Sequence, residues 1–116
     1  MDEALDTLGQ TIKKALGASV TGHVVTRGEL TLTVKAADIV KVARFLRDDP
    51  SCLFTCIIDV TALDWPGREK RFDGVYHFLS PRINQRIRVK AELAEGETIA
   101  SLIEVYRGVD WFEREA

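Results

Sequence analysis

The most restrictive feature of this sequence is the segment RIRVKAEL at residues 86–93, which alternates strictly between charged and apolar side chains. In a β-strand, successive side chains point to opposite faces, so this alternation gives one apolar face and one charged face. The apolar set is Ile87, Val89, Ala91 and Leu93, and the charged set is Arg86, Arg88, Lys90 and Glu92. Such a strand must cover its apolar face with another layer, while its charged face meets water or a partner.

Two segments with helical periodicity can supply that covering layer. The first ends at Gly17, a natural helix C-cap, and its apolar stripe is Leu5, Leu8, Ile12 and Leu16. The second ends at Pro50, which cannot continue a helix, and its stripe is Ile39, Val42, Ala43, Phe45 and Leu46. Both stripes are wide enough to pack against a sheet.

Four further strands are predicted from alternation and turn residues. SVTGHVVTRGELTLTVK reads as a hairpin around Arg27-Gly28, and LFTCIIDVTAL and RFDGVYHFL precede the strand at 86–93. The apolar face of LFTCIIDVTAL is predicted to carry Phe54, Cys56, Ile58, Val60 and Ala62, and that of RFDGVYHFL to carry Phe72, Tyr76 and Phe78. ETIASLIEVY predicts a short helix through Ile99, Leu102 and Ile103.

The predicted order is α-β-β-α-β-β-β-α, followed by a helix start. Short connections favour antiparallel pairing, so we expect one α+β domain over residues 1–116, with a mostly antiparallel sheet in two layers and the helices on one face. The opposite face should meet water or a partner, and it should carry Thr31, Thr33, Lys35, Asp59, Asp73, His77, Arg86, Arg88 and Lys90.

Composition excludes several classes. The 116 residues are 46% hydrophobic and 29% charged, which argues against disorder. No apolar run approaches the roughly 18 residues of a membrane span, and MDEALDTLGQ lacks the features of a secretory or transit peptide. Two cysteines are too few for a disulfide framework, so a cytosolic chain is expected.

Charge is unevenly distributed along the chain, although its net value is only −2. Residues 66–90 contain seven basic side chains against Glu69 and Asp73, whereas residues 91–116 contain seven acidic ones against Arg107 and Arg114. The positive charge of the first region and the negative charge of the second can offset each other within one molecule, or the two regions can bind different neighbours. A solvated surface is the simpler interpretation.

Catalytic and metal chemistry have weak support in the sequence. Cys52 and Cys56 would lie about 13 Å apart along a strand, too far for a disulfide or for shared metal ligation. Cys56 is interpreted as a core residue and Cys52 as a strand-entry residue. His77 could meet Asp59 or Asp73 and act as a general base, but no nucleophile elbow or phosphate loop accompanies it.

Nucleic-acid binding is a second alternative, because basic residues line the predicted polar face. The loop residues Arg68 and Arg82 could extend the stripe of Arg71, Arg86, Arg88 and Lys90. Such a surface needs exposed aromatic side chains for base stacking, and here the aromatics of RFDGVYHFL are predicted to face the core. The acidic net charge also disfavours this interpretation.

The last nine residues, GVDWFEREA, predict the start of a helix. Asp110 can cap its first turn and Glu113, three residues later, can complete a capping box. Trp111 and Phe112 would then fold back onto the sheet edge, anchor a longer helix, or contact a partner. These aromatics could also promote self-association through an exposed C-terminal end.

Several phrases occur in an order that matches a known family. They are the strand with Asp59, the turn DWPGRE at 64–69, Tyr76-His77, RIRVK at 86–90 and WFERE at 111–115. Together they resemble the C subunit, of the 30 kDa subunit family, of proton-pumping NADH:quinone oxidoreductase, respiratory complex I. The opening helix and the GELTLTV hairpin also resemble bacterial members. In the family the ERE phrase continues into a helix and an extended tail, so residues 1–116 are expected to form the N-terminal domain without the C-terminal tail.

The resemblance implies a non-catalytic subunit of the peripheral arm, active only within a multisubunit enzyme. No flavin, iron–sulfur cluster or quinone ligand is expected in this chain, and these cofactors belong to partner subunits. The implied partners are the quinone-site subunit and the terminal iron–sulfur subunit, with no nucleic acid and no direct membrane insertion. The implied location is the cytoplasmic side of the bacterial inner membrane. An equivalent subunit of a related membrane-bound hydrogenase remains the alternative, as does a small stand-alone domain that binds protein or nucleic acid.

The resemblance also carries over a set of family-motif residues with structural or interface roles and no catalytic role. They are Arg68, Glu69, Tyr76, Trp111, Phe112, Glu113, Arg114 and Glu115.

Overall fold

Two helices and five strands follow one another in the computed structural model, which describes residues 2–50, 52–64, 72–93 and 106. The helices are α1 (Asp2–Leu16) and α2 (Ile39–Asp48), and each follows or precedes a short 3₁₀ turn, at Gly17–Ser19 and Ala36–Asp38. The strands are β1 (Val20–Thr26), β2 (Glu29–Lys35), β3 (Cys56–Asp64), β4 (Phe72–Ser80) and β5 (Gln85–Leu93). The first seven predicted elements are therefore present in the predicted order. The predicted helix at ETIASLIEVY lies outside the described residues, except for Tyr106.

The strands form one sheet in the spatial order β1-β2-β5-β4-β3. Three of the four strand pairs are antiparallel, and β2 pairs with β5 in parallel, from Leu30 opposite Ile87 to Lys35 opposite Glu92. A parallel pair needs a long crossover, and here α2, β3 and β4 all lie between the two strands along the chain. The predicted α+β class with a mostly antiparallel sheet is confirmed.

The core lies between the helices and one face of the sheet, which we call the inner face. α1 contributes Leu5, Ile12 and Leu16, and α2 contributes Ile39, Val42, Ala43 and Leu46, all of them buried. The strands meet them with Leu30, Leu32, Val34, Tyr76, Phe78, Ile87, Val89 and Ala91. Both predicted helical stripes therefore face the sheet, with Leu8 and Phe45 only partly buried at the margin.

Helix α1 packs closely on β1 at Gly9. A Cβ added to Gly9 would lie 2.7 Å from Cδ2 of His23 and 3.0 Å from Cδ1 of Leu30. The His23 ring is held there because its Nε2 lies 2.9 Å from Oδ1 of Asp6, one turn earlier on α1. Glycine thus allows the helix backbone to approach the sheet, and Gly17, at φ 61°, then ends the helix as predicted.

The predicted face of β3 is wrong at its start, because a β-bulge interrupts the alternation. The register shifts between Ile57, opposite Phe78, and Asp59, opposite His77, so Ile58 is the extra residue. Ile58 is 38% exposed, whereas Val60 is 7% exposed on the inner face. The bulge also explains Cys56, which pairs with Leu79 on the far side of the sheet and is not a core residue.

Tyr106 joins the core from the C-terminal part of the chain. Its ring lies 5.2 Å from that of Phe78, and its hydroxyl donates a hydrogen bond to the carbonyl of Phe54. Burial raises the pKa of the Tyr106 hydroxyl, so this group stays protonated as a donor. The contact fixes the segment between α2 and β3, where Phe54 is fully buried.

Candidate interaction surface

The face of the sheet opposite the helices, here called the outer face, carries most of the polar residues predicted for it. Cross-strand register aligns Thr31 with Arg88 and Thr33 with Lys90, and it aligns His77 with both Asp59 and Arg88. Paired residues share a face of the sheet, so four strands contribute to one polar surface. The prediction of this face from two-residue alternation is confirmed at those positions.

One residue predicted for the outer face, Asp73, is buried. Asp73 lies on the outer side of β4 but is only 4% exposed, so it does not face water, which is one of the two environments predicted for this face. It also does not reach His77, because four residues along a strand span about 13 Å. Val75, between them on the same side, is likewise buried, at 3% exposure. The accessible part of the outer face therefore centres on His77 and not on Asp73.

A chain of polar contacts crosses the outer face through Arg88. Its Nη2 lies 2.8 Å from Oε2 of Glu29, and its Nε donates to Nε2 of His77 at 3.1 Å. Because Nε2 of His77 accepts this hydrogen bond, the ring is neutral with its proton on Nδ1. The Nδ1 atom is buried and has no hydrogen-bond partner among the described residues. β2, β5 and β4 are thus tied together by one glutamate, one arginine and one histidine.

The surroundings of His77 favour this neutral form. Burial is the largest effect, and the nearby Arg88 guanidinium adds to it, so the pKa of His77 is lowered from its ordinary value of 6.5. Asp59 and Glu29 act in the opposite direction and only partly offset the decrease. His77 is therefore an uncharged acceptor for Arg88 near neutral pH.

A cleft of about 600 Å³ opens on the outer face between two turns. The β1–β2 turn contributes Arg27 and the start of β2 contributes Glu29, while the β4–β5 turn contributes Asn84 and the start of β5 contributes Arg86. Apolar side chains of Ile58 and Leu79 lie beside His77 and Arg88 in the same cleft. The bulge in β3 matters here, because it turns Ile58 away from the core and into this surface.

The cleft provides some of the features that general-base catalysis by His77 would need, but not all of them. His77 lies in a concave site and its pKa is lowered, and Asp59 is its cross-strand neighbour. However, its Nε2 lone pair already accepts a hydrogen bond from Arg88, and no serine, threonine or cysteine is among the described residues that line the cleft. The arrangement suits binding better than acyl or phosphoryl transfer.

The cysteines do not form a pair. Within the described residues neither forms a disulfide, and Cys52 is fully buried after α2 while Cys56 is partly exposed on β3. The carbonyl of Cys52 accepts a hydrogen bond from Oγ of Ser80 at 2.5 Å, which fastens this segment to β4. Within the described part of the chain, no group of three or more His, Cys, Asp or Glu side chains could hold a metal ion.

Of the family-motif residues, the structure describes only Tyr76. It is 2% exposed on the inner face, where its ring stacks on that of Phe78 at a centroid distance of 6.3 Å, so it is part of the core. The others, Arg68, Glu69, Trp111, Phe112, Glu113, Arg114 and Glu115, lie outside the described residues. The Glu29–Arg88–His77 contacts could not be predicted from the sequence, because the parallel β2–β5 pairing that brings Glu29 near Arg88 has no local signal.

Fold and surface together define a two-layer α+β domain that leaves one polar sheet face uncovered by its described helices. Known proteins with this sequence pattern identify the group to which it belongs. A family described as "Respiratory-chain NADH dehydrogenase, 30 Kd subunit" matches residues 32–116. The chain belongs to this family, as its motifs predict.

Individual relatives support the same assignment. The C subunit of NADH-quinone oxidoreductase from Rhodopseudomonas palustris (strain TIE-1) is 59% identical over 115 residues, which are 99% of this chain and 56% of that protein. The C subunit of the same enzyme from Xanthobacter autotrophicus is 54% identical over 116 residues, which are 100% of this chain and 56% of that protein. The chain thus spans little more than half the length of the curated relatives it matches.

A solved structure shares the fold at low sequence identity. It is the archaeal membrane-bound sulfane sulfur reductase, a respiratory membrane complex, which matches with a TM-score of 0.80 and 20% identity. The match covers 95% of this chain and 64% of that chain. At this identity the likeness shows the fold alone. Within the described residues, neither helix combines the length and the apolar character that crossing a bilayer requires.

Proposed function

We propose that this chain is a non-catalytic subunit of the peripheral arm of a proton-translocating NADH:quinone oxidoreductase. The observation that carries this proposal is its identity of 59% and 54%, over essentially its whole length, to proteins named as the C subunit of NADH-quinone oxidoreductase. The proposed role is to support neighbouring subunits, so the enzyme activity belongs to the assembly and no catalytic residue is assigned to this chain.

The finer parts of the proposal concern neighbours, cofactors and location. The proposed neighbours are the quinone-site subunit and the terminal iron–sulfur subunit, which would hold the cofactors together with a flavin subunit. This chain would bind neither flavin nor iron–sulfur cluster and would act as a single domain over residues 1–116. It would lie on the cytoplasmic side of the bacterial membrane, attached through the complex. The outer face supports a role in assembly, because it presents charged side chains that the described helices leave uncovered.

The test is co-purification from the native organism. The protein, tagged at its N terminus and produced from its own gene locus, should be isolated from gently solubilised membranes together with rotenone-sensitive NADH:quinone reductase activity. Deletion of its gene should abolish that activity while leaving NADH oxidation by the detached flavin-containing part measurable. Isolation of the tagged protein without NADH:quinone reductase activity, or normal activity in the deletion strain, would contradict the proposal.

A further inference from the structure

The outer-face cleft is positively charged within an acidic chain. Its lining has three arginines, Arg27, Arg86 and Arg88, and one glutamate, Glu29, which give a net formal charge of +2, whereas the chain carries −2. His77 adds no charge, because it accepts a hydrogen bond from Arg88 as a neutral ring. A positive concave surface attracts carboxylates and disfavours basic partners.

Two of the three arginines are available to a ligand. Arg88 is engaged by Glu29 and His77, which hold it across the floor of the cleft. Arg27 on the β1–β2 turn and Arg86 near the start of β5 are both exposed, and neither makes an ion pair in the described part of the chain. Guanidinium groups in this situation can each bind a carboxylate through two parallel hydrogen bonds.

Arg27 occupies a backbone position that favours other residues. It is the first central residue of the two-residue β1–β2 turn, with φ at 52°, and Gly28 follows with φ at 76°. Both angles lie in the left-handed region, which a type I′ hairpin turn requires and in which asparagine or glycine is preferred at the first position. An arginine at this position therefore costs some folding free energy relative to asparagine or glycine, and strained positions of this kind are frequent at binding sites.

The cleft also presents apolar area beside its charges. Ile58 is 38% exposed on the bulge of β3, and Leu79 lies next to it in the cleft lining. Apolar area rimmed by arginines is typical of protein interfaces, where a central apolar contact is surrounded by polar ones. A small anion such as phosphate would make no favourable contact with this apolar area, whereas a peptide segment could cover it.

We propose that this cleft is a docking site for an extended acidic segment of a partner protein. The segment would place carboxylates against Arg27 and Arg86 and an apolar side chain on Ile58 and Leu79. The inference rests on the proposed function in that the partner is expected within the same respiratory complex. It goes further by naming the surface of this chain that is used and the chemistry of what it binds.

The experiment is site-specific photocrosslinking in the complex purified through the tagged, naturally encoded protein. The residue p-benzoylphenylalanine replaces Ile58 in one strain and, as a control, Lys41 in another, because Lys41 is exposed on α2 in the opposite layer. Irradiation at position 58 should give an adduct that mass spectrometry maps to an Asp/Glu-rich segment of another subunit. Position 41 should not give that adduct.

Charge variants then test the recognition itself. Arg86→Glu should reduce the adduct from position 58 about five- to tenfold, a change that Lys41→Glu should not reproduce. Arg27→Asn should weaken the adduct while raising the unfolding temperature, since asparagine fits the turn better. If the unfolding temperature rises as expected, a reduced yield from this second variant cannot be attributed to misfolding.

Each other outcome overturns the inference. An adduct within the same chain or with a second copy would show a different occupant. An adduct on a segment without carboxylates, an adduct unchanged by Arg86→Glu, or no adduct from a complex that is purified intact would also refute it. If the tagged protein does not co-purify with the enzyme at all, the proposed function fails separately, before any irradiation.

Discussion

At the scale of single residues, the state of His77 depends on the charges around it. Arg88 lowers the pKa of His77 and Asp59 raises it, so the two substitutions that remove these charges should act in opposite directions. We expect Arg88→Gln to move the pKa of His77 upward, towards its ordinary value of 6.5, and Asp59→Asn to move it further down.

The measurement is an NMR titration of the histidine ring protons. His23 is the other of the two histidines, and it lies on the helix-covered side, so it serves as an internal reference in each sample. The charge-neutralising control is Lys41→Gln, in the opposite layer. Shifts of the same sign in both variants would show that the electrostatic assignment around His77 is wrong.

The hydroxyl of Tyr106 should contribute measurably to the free energy of unfolding. Tyr106→Phe removes the donor to the buried carbonyl of Phe54 and leaves that oxygen unsatisfied, which should lower the free energy of unfolding by about 1 to 3 kcal/mol. Thr21→Val is the matched control, because it removes an exposed hydroxyl that donates to the carbonyl of Thr33. Urea denaturation followed by circular dichroism measures both, and equal losses would contradict the role assigned to Tyr106.

At the scale of elements, the bulge in β3 separates two residues that alternation predicts to be equivalent. Ile58→Thr should lower the free energy of unfolding by about 0.5 kcal/mol or less, because the side chain is on the outer face. Val60→Thr should cost about 1 to 3 kcal/mol, because it buries a hydroxyl in the core. Chemical denaturation of the two variants in parallel measures and compares these two losses of unfolding free energy. A larger loss for Ile58→Thr would show that the regular strand pattern is correct after all.

The close approach of α1 to β1 predicts an unusual response to alanine. Glycine-to-alanine changes inside helices normally stabilise them by about 1 kcal/mol. Gly9→Ala should instead lower the thermal midpoint, because its Cβ would lie 2.7 Å from the His23 ring, which Asp6 holds in place. Gly22→Ala, on β1 with nothing within 4 Å of the added Cβ, should have little effect. A higher midpoint for Gly9→Ala would mean that the helix can shift outward freely.

Particular elements show how far sequence reasoning reaches. The strict alternation of β5 and the two helical stripes predicted both faces of the sheet, because each pattern is set by local backbone geometry. The face of β3 was mispredicted because one inserted residue at Ile58 inverts the strand positions before it, at Cys56 and Ile57, and no local residue marks the bulge. The cleft was not predicted as a site, because it needs the nonlocal β2–β5 pairing to bring Glu29 to Arg88.

At the scale of the whole molecule, the sheet order predicts which strands are protected from solvent exchange. β2 lies between β1 and β5, so both alternating sets of its amides should be hydrogen-bonded and should exchange slowly. β1 is an edge strand, and only the amides that face β2 should be protected. Hydrogen–deuterium exchange read by NMR distinguishes the two strands residue by residue. Fast exchange of every second amide in β2 would show that the parallel pair with β5 is absent.

That same parallel pair has a consequence for biosynthesis. Leu30 pairs with Ile87, 57 positions later, so the β1–β2 hairpin leaves the ribosome long before its neighbour is made. At a translation rate of about 5 to 20 residues per second, the wait is about 3 to 11 s. Throughout that interval the β5-facing edge of β2 has no hydrogen-bonding partner, and the apolar side chains of β2 face a core that is still incomplete. The nascent chain is therefore a natural client for a ribosome-associated chaperone, and it needs that protection most before β5 emerges.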